Sequence, residues 1–415
     1  MDITLQCYGA SQEVGRSAFI LKTDKNILLD YGIKVFGKDD KPEYPLPIKE
    51  RIDIALLSHA HLDHSGFIPY IYRTGNIPWY ATPPTIELCK LLWKDSMKIM
   101  GAELPYQLQH MQSAIKYWRP ALYGQNIDFG ETTTRYLDAG HIAGSAMIEL
   151  YYKRKRIVYT GDFKMEETRL HKGAQAVEDA SVVIIDSTYA MKEHPPRKEA
   201  EKKIMQHIKE TTESGGTALF PAFSLGRTQE LIQIIRAYDR KIPVYVDGMG
   251  RDISRIYAAH PRYIKEGAVF RKYLNSVRLV QGPHDRKNAV REPGVIISSA
   301  GMMEGGPVLG YIQNVNKDSK IIFSGYTVKG TNGWKLINEG YITVDEEDLE
   351  VDLPVEYVDL SAHAGRSDIL NFIKHANPEK VVIVHSDAAE EFKKDLVENF
   401  GYDALAPAVG ETLKL

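Results

Sequence analysis

The sequence predicts an α/β protein in which a first body is interrupted by a second, separately folded α/β domain and then completed. Three observations carry this. Short apolar runs of strand type alternate with amphipathic helical segments along all 415 residues, a length comfortable for two domains. Several of those runs end in Asp or His, the usual way an α/β body gathers polar chemistry at its strand ends. Beyond Lys192 the texture changes: residues 191–340 hold 24 Lys and Arg against 15 Asp and Glu, a net of +9, while the remainder carries 28 against 40, a net of −12.

Composition sets further bounds. With 26% charged and 43% apolar residues the chain reads as an ordinary soluble globular protein. No apolar run approaches ~18 residues, so no membrane partner is expected. The start, Met1 to Leu5, alternates like a strand and lacks the regions of a secretory signal. Cys7 and Cys89 are too few for a disulfide framework, which fits free thiols in a reducing cytoplasm. The net charge of −3 argues against a nucleic-acid binder, but the basic middle third suits a polyanionic partner.

Taken in order, 5–10, 17–23 and 26–31 read as strands, the third placing Asp30 at its tip. An apolar strand at 52–58 delivers Ser58-His59-Ala60-His61-Leu62-Asp63-His64-Ser65-Gly66, followed by an amphipathic segment at 67–72. Three His and one Asp in six positions is dense for a chain with 13 His in all. Imidazoles suit zinc-like ions, and His59 and His61, two apart in an extended loop, point the same way. Asp63 and His64 then reach round to a second ion, so the stretch predicts a two-metal site. A short strand at 79–81 leads to helices at 84–100 and 106–118, whose Met and Trp residues at helical spacing belong to the core.

A strand at 133–138 ends in a small-residue loop carrying His141. The hairpin 147–152 and 156–160 runs into Asp162, and the buried strand 182–186 closes on Asp186. In the basic third, a charged helix at 197–213 precedes strands at 217–221, 241–247, 277–280, 294–299 and 320–326, with helices between them, among them 228–238. After Gly340 an acidic stretch leads to Ser361-Ala362-His363. A helix at 368–374, a strand at 380–384 ending at His385, a helix at 388–400 and the tail 411–415 close the chain.

At this point the motifs are similar to those of a known family. Asp30, His59-Ala60-His61-Leu62-Asp63-His64, His141 and Asp162 resemble, in order, the metal motifs of the metallo-β-lactamase superfamily. Asp186-Ser187-Thr188-Tyr189, Ser361-Ala362-His363 and Val384-His385 resemble the three further motifs of its β-CASP branch. So do Pro221-Ala222-Phe223-Ser224-Leu225-Gly226-Arg227 and Ser298-Ser299-Ala300-Gly301-Met302. The resemblance covers essentially the whole chain. It implies an αββα metallo-β-lactamase sandwich in two parts, 1–190 and 356–415, with a β-CASP α/β domain inserted at 191–355. Starting at Met1 with the catalytic domain, the chain is expected to lack the KH domains of some archaeal relatives.

Members of the branch are nucleases, and a histidine at the position of His385 resembles the RNA-acting ones. The resemblance therefore implies a cytoplasmic ribonuclease, cleavage-and-polyadenylation-factor-like or ribonuclease J-like. Its substrate would be single-stranded RNA, its cofactor two Zn2+ per chain, and a homodimer fits the same class. His59, His61 and His141 would hold one zinc; Asp63, His64 and His385 the other; Asp162 would bridge them. Asp30 would stand behind the ligands and fix the histidine loop. Asp63, Asp186 and His363 form the implied catalytic set, with His363 as general acid for the leaving 3′-oxygen, oriented by Asp186.

Ser299, Ala300, Gly301 and Arg227 are candidate substrate-binding residues, the small-residue turn offering backbone N–H groups to a phosphate. Arg251, Arg255, Arg262, Arg271 and Lys272 are candidate phosphate contacts. Asp186 stands where many relatives have Glu, and Ser386-Asp387 replaces the commoner Gly-Glu; neither departure removes a metal ligand. Endonucleolytic cutting to 5′-phosphate and 3′-hydroxyl ends is the favoured reading, with 5′-to-3′ exonuclease as alternative. A DNA nuclease, a non-catalytic RNA-binding scaffold and a small-ester hydrolase are the rivals. The last would lack both the basic insert and the His363 element.

Overall fold

A computed structural model describes residues 3–38 and 41–415. The chain divides into two compact units. The first comprises the residues up to Glu167, Lys172–Glu193 and His363–Leu415; the second Thr168–His171 and His194–Ala362.

The first unit is an αββα sandwich. One seven-stranded sheet is built from the N-terminal strands Thr4–Gly9, Ala18–Lys22, Asn26–Leu29, Ile54–Leu56, Trp79–Ala81 and Trp118–Pro120, edged by the C-terminal strand Thr412–Lys414. The other runs in the order Ala404–Leu405, Lys380–Val384, Val182–Asp186, Lys155–Tyr159, Ala146–Tyr152, Thr132–Asp138 and Asn126–Phe129. Period-two alternation decides which face each residue covers. Leu5, Cys7, Phe19, Leu21, Ile27 and Leu29 of the first sheet meet Ile148, Leu150, Ile157, Tyr159, Val182, Ile184, Val382 and Val384 of the second in one core. The intervening Val158, Val183, Ile185, Val381 and Ile383 face the other way, onto Ile369, Phe372 and Ile373 of the helix Arg366–Ala376 and onto Phe392 and Leu396 of Ala389–Phe400. Each fully buried aliphatic contributes about 1.5–3 kcal/mol, so these strands are fixed in register from both faces. On the far side, Trp79 is anchored by its indole N–H to the Ala114 carbonyl at 2.7 Å and stands 5.9 Å from Trp93, covering the first sheet with the helices Pro83–Met100 and Leu108–Tyr117.

Direction matters more than order. Lys155–Tyr159, Val182–Asp186 and Lys380–Val384 are mutually parallel, and Thr132–Asp138 runs the same way through two antiparallel steps. Their C-terminal ends therefore share one edge, where Asp162, Asp186, His385 and His141 follow. Asn26–Leu29 and Ile54–Leu56 are likewise parallel and bring Asp30 and His59 to their own ends. Two glycines permit close approach there. Gly161 (φ +50) would put a Cβ 2.6 Å from the Ser58 Cβ, and a Cβ on Gly32 would overlap the Asp63 carbonyl.

The second unit is a six-stranded parallel sheet in the order Arg278–Leu279, Val244–Asp247, Gly294–Ser298, Thr217–Pro221, Lys320–Phe323 and Val355–Tyr357. The last strand, Val355–Tyr357, straddles the expected boundary between 355 and 356. It pairs with Lys320–Phe323, so this unit's backbone continues to Ala362.

Elsewhere the elements differ from expectation in detail. The first strand starts at Thr4, with Met1 and Asp2 outside the described residues. A short helix, Leu62–Ser65, begins inside the histidine stretch, and the following segment is the 3-10 helix Ile68–Arg73. No described helix is long and apolar enough to cross a membrane.

Candidate active site

The residues named from the sequence converge in the first unit as adjoining donor sets. His59, His61, His141 and Asp162 form one; Asp63, His64 and His385 another; Asp162 with Asp186 and His363 a third, each within 4.8 Å of mutual approach. His61 Nδ1 lies 3.1 Å from both His59 Nε2 and His141 Nε2. A tetrahedral zinc with bonds of about 2.0–2.1 Å spaces its nitrogens by about 3.3 Å. One proton on the His61 nitrogen satisfies only one of these neighbours, whereas a cation at the centre satisfies all three.

Asp162 is turned toward the first two sets. Its Oδ2 lies 3.4 Å from His59 Nε2 and 3.6 Å from His141 Nε2, and its Oδ1 lies 3.1 Å from His64 Nε2. That Oδ1 is buried without a hydrogen bond. A buried carboxylate oxygen left in this state is costly, and a divalent ion removes the cost. Opposite, His385 Nε2 and His64 Nε2 lie 3.3 and 4.0 Å from Asp63 Oδ2. The donor set thus fits two cations sharing Asp162, with the mixed imidazole and carboxylate chemistry that suits zinc.

Behind the donors stands a layer of orienting groups. Buried Asp30 accepts from the Ser58 amide and hydroxyl, His64 Nδ1 and the Tyr159 hydroxyl, each at 2.7 Å. Asp30 thereby holds a proton on His64 Nδ1, and Nε2 is the nitrogen that faces Asp162. His363 and Asp186 sit beside the cluster, His363 Nδ1 at 3.1 Å from Asp186 Oδ2 and Nε2 at 3.8 Å from Asp162 Oδ2. Asp30 and His385 both adopt φ 55, a left-handed backbone uncommon for these residues. Their amides are held by the Leu56 carbonyl at 3.0 Å and the Ala10 carbonyl at 2.7 Å.

Electrostatics separate the first two sets. Burial, and then repulsion among the imidazoles, push His59, His61 and His141 down, His61 to about 3. Burial acts on His64 and His385 too, but the surrounding carboxylates overcome it and raise both, His385 to about 10. His363 is also raised: Asp162 and the hydrogen bond to Asp186 outweigh its burial. Asp186 is held at about 2, because its bonds to His363 and His385 outweigh burial and the repulsion of Asp162.

The candidate substrate residues lie in the second unit. Arg227 opens the helix Arg227–Tyr238, 9% exposed, with its Nη1 buried and without a hydrogen-bond partner among the described residues. Ser299 donates its amide to the Asp247 carbonyl at 3.4 Å, and Gly301 packs on Phe223, where a Cβ would come within 2.7 Å of the Phe223 nitrogen. Three of the basic candidates are engaged by the chain itself. Arg251 Nε donates to the Gly248 carbonyl at 3.0 Å, Arg271 to the Ala258 carbonyl at 2.8 Å, and Arg255 pairs with Asp252 at 2.7 Å.

Comparison with known proteins follows the same division. Residues 12–205 match the model of the metallo-beta-lactamase superfamily, 228–336 that of the Beta-Casp domain, and 348–407 that of the Zn-dependent metallo-hydrolase RNA specificity domain. "Probable RNase MJ4" of Methanocaldococcus jannaschii is 35% identical over 98% of this chain and 99% of its own. The chain belongs to the β-CASP branch of the metallo-β-lactamase superfamily. "RNase aCSPSF2" of Saccharolobus solfataricus is 34% identical over 100% of this chain and 86% of its own. "Transcription termination factor FttA" of Methanothermobacter thermautotrophicus is 34% identical over 92% and 67%. A solved structure of a protein of unknown function from Enterococcus faecalis V583 covers 100% of both chains at a TM-score of 0.66 and 15% identity, a likeness of fold alone.

Three β-CASP site neighbours escape a reading from sequence: Tyr159, Ser58 and Thr188. Tyr159 occupies an inward strand position three residues before Asp162, where a tyrosine needs a partner for its hydroxyl. That need was the available signal.

Proposed function

We propose that the chain is a two-zinc ribonuclease of the cytoplasm. It hydrolyses phosphodiester bonds within single-stranded RNA to leave 5′-phosphate and 3′-hydroxyl ends, in 3′-end processing or decay. The observation that carries this is Asp162, whose two oxygens face separate donor sets in a family whose relatives here are named as RNases. His59, His61 and His141 would hold one zinc, Asp63, His64 and His385 the other, with Asp162 shared. When bound, the pair supplies Lewis acidity, which makes water acidic near neutral pH and offsets phosphate charge in an in-line displacement.

The chain's own residues do the rest. His363 gives its Nε2 proton to the leaving 3′-oxygen: Asp186 occupies Nδ1, and the neighbouring carboxylates keep the ring protonated above its ordinary range. Its 22% exposed side chain is open to substrate, unlike the buried His59 and His141. Arg227, a buried guanidinium with an unused donor, is a phosphate contact in the inserted domain.

The test compares internally labelled and 5′-end-labelled RNA carrying monophosphate or hydroxyl ends. Internal cuts with new 5′-phosphates, indifferent to the original 5′ end, are expected. Mononucleotides released only from 5′-monophosphate RNA would replace this with exonucleolytic action. Intact RNA with hydrolysed small esters would overturn the ribonuclease reading.

A further inference from the structure

The Thr188 side chain sits where the metal cluster and the proton-donating pair meet. Its Oγ1 lies 3.0 Å from His385 Nδ1, 2.7 Å from Asp186 Oδ1 and 3.0 Å from the His385 carbonyl oxygen. The Asp186 carboxylate reaches His363 Nδ1 through its other oxygen at 3.1 Å. Asp186 Oδ1 is also fixed by the Thr188 amide at 3.0 Å.

The proton arithmetic at this hydroxyl has one solution. A threonine hydroxyl has one hydrogen and accepts with its lone pairs. The carboxylate and the carbonyl only accept, so the hydrogen points to one of them, and the shorter, charged contact to Asp186 is the stronger. The contact to His385 must then be made by a proton on Nδ1. In the neutral ring that a metal needs, this leaves the lone pair on Nε2, the nitrogen facing Asp63 at 3.3 Å.

We propose that Thr188 is a positioning residue: its hydroxyl fixes the tautomer and ring plane of His385 for the second metal and ties that ligand to the Asp186–His363 pair. The chain of bonds runs His385 Nδ1–H to Thr188, Thr188 O–H to Asp186, and His363 Nδ1–H to the opposite oxygen of Asp186. His64 has a carboxylate, Asp30, behind its Nδ1. His385 has a neutral hydroxyl as the nearest partner of its Nδ1, with Asp186 Oδ1 farther off at 3.5 Å. His385 stands one residue beyond the strand Lys380–Val384, in a left-handed backbone. This inference rests on the two-metal reading of the site.

The test uses the full chain, stripped of metal and titrated with zinc alone against a competing chelator. Thr188→Val keeps the side chain's shape and removes the hydroxyl. It is expected to bind one zinc as the wild type does and the other about 10–100-fold more weakly. Thr188→Ser is expected to restore wild-type affinity. Unchanged binding of both ions by Thr188→Val overturns the proposal, as does failure of Thr188→Ser to restore it. Should Thr188→Val not fold, nitrogen-15 NMR of the wild-type histidines decides: a proton on His385 Nδ1 is expected, and a proton on Nε2 alone overturns the assignment. None of these readouts uses RNA. A chain that holds zinc this way yet leaves RNA intact sinks the ribonuclease reading and not this one.

Discussion

The two halves of the candidate metal centre are built differently although they share Asp162. In the half made by His59, His61 and His141, three imidazoles face one another, and Asp30 reaches only His59, through the Ser58 hydroxyl that lies 3.0 Å from His59 Nδ1 and donates to Asp30 at 2.7 Å. In the half made by Asp63, His64 and His385, a carboxylate joins the donors. Carboxylates also back the imidazoles: Asp30 directly, and Asp186 both at 3.5 Å from His385 Nδ1 and through Thr188. Burial wins in the first half and lowers the histidines; carboxylates win in the second and raise them. Donor count alone therefore does not describe this site. Desolvation dominates the first half, where Asp30 acts only through Ser58; carboxylates in contact dominate the second, and the His363–Asp186 pair proposed as proton donor adjoins it.

Removing what the halves share gives the largest effect. Asp162→Asn is expected to reduce bound zinc from two equivalents to one or fewer and to abolish cleavage, read by metal analysis and RNA turnover. Two retained equivalents would show that the halves do not depend on a common carboxylate. Next is His363→Ala, expected to lower turnover by about 10²–10⁴-fold while both halves stay loaded and RNA affinity is nearly intact. Emptying of either half would move His363 from proton donor to ligand.

The pH profile sharpens the same point. With protonated His363 as the proposed active form, turnover is expected to fall as pH rises through its raised pKa. Asp186→Asn removes a bond that stabilises the charged ring and is expected to shift this alkaline limb to lower pH. An unmoved limb would detach Asp186 from the proton donor.

Asp30→Asn should affect the halves unequally by chelator competition, weakening the ion held by Asp63, His64 and His385 by about 10–100-fold through its direct contact with His64, and the other less, because Ser58 stands between Asp30 and His59. The smallest effect belongs to Tyr159→Phe, which removes one of four donors to Asp30. It is expected to cost about 1–3 kcal/mol in denaturant unfolding with both zinc ions retained.

Much of this was legible in the chain. His59 through His64 stand out because histidine is scarce and the spacing leaves few bland readings, and strands such as Val182–Asp186 and Lys380–Val384 announce themselves as continuous apolar runs. What was not legible depends on register between distant strands. Thr188 meets His385 because Val182–Asp186 pairs in parallel with Lys380–Val384, Asp186 opposite Val384, a match that local pattern does not encode. Tyr159 meets Asp30 across the core between the sheets. The strand Asn126–Phe129 escaped because it is polar and half-exposed, lacking the apolar run that marks its neighbours. Charge counting pointed to a basic insert, but Arg251, Arg255 and Arg271 are bound by nearby carbonyls and a carboxylate. Composition weighs such residues equally, whereas folding commits some of them to the chain.

The most direct measurement is a stepwise zinc titration of metal-free protein with RNA cleavage recorded at each addition. A centre shared by two ions predicts no turnover until the second equivalent binds, with internal RNA cuts appearing as it does. Full cleavage at one equivalent, or in metal-free protein, would contradict the paired centre on which the proposed chemistry stands.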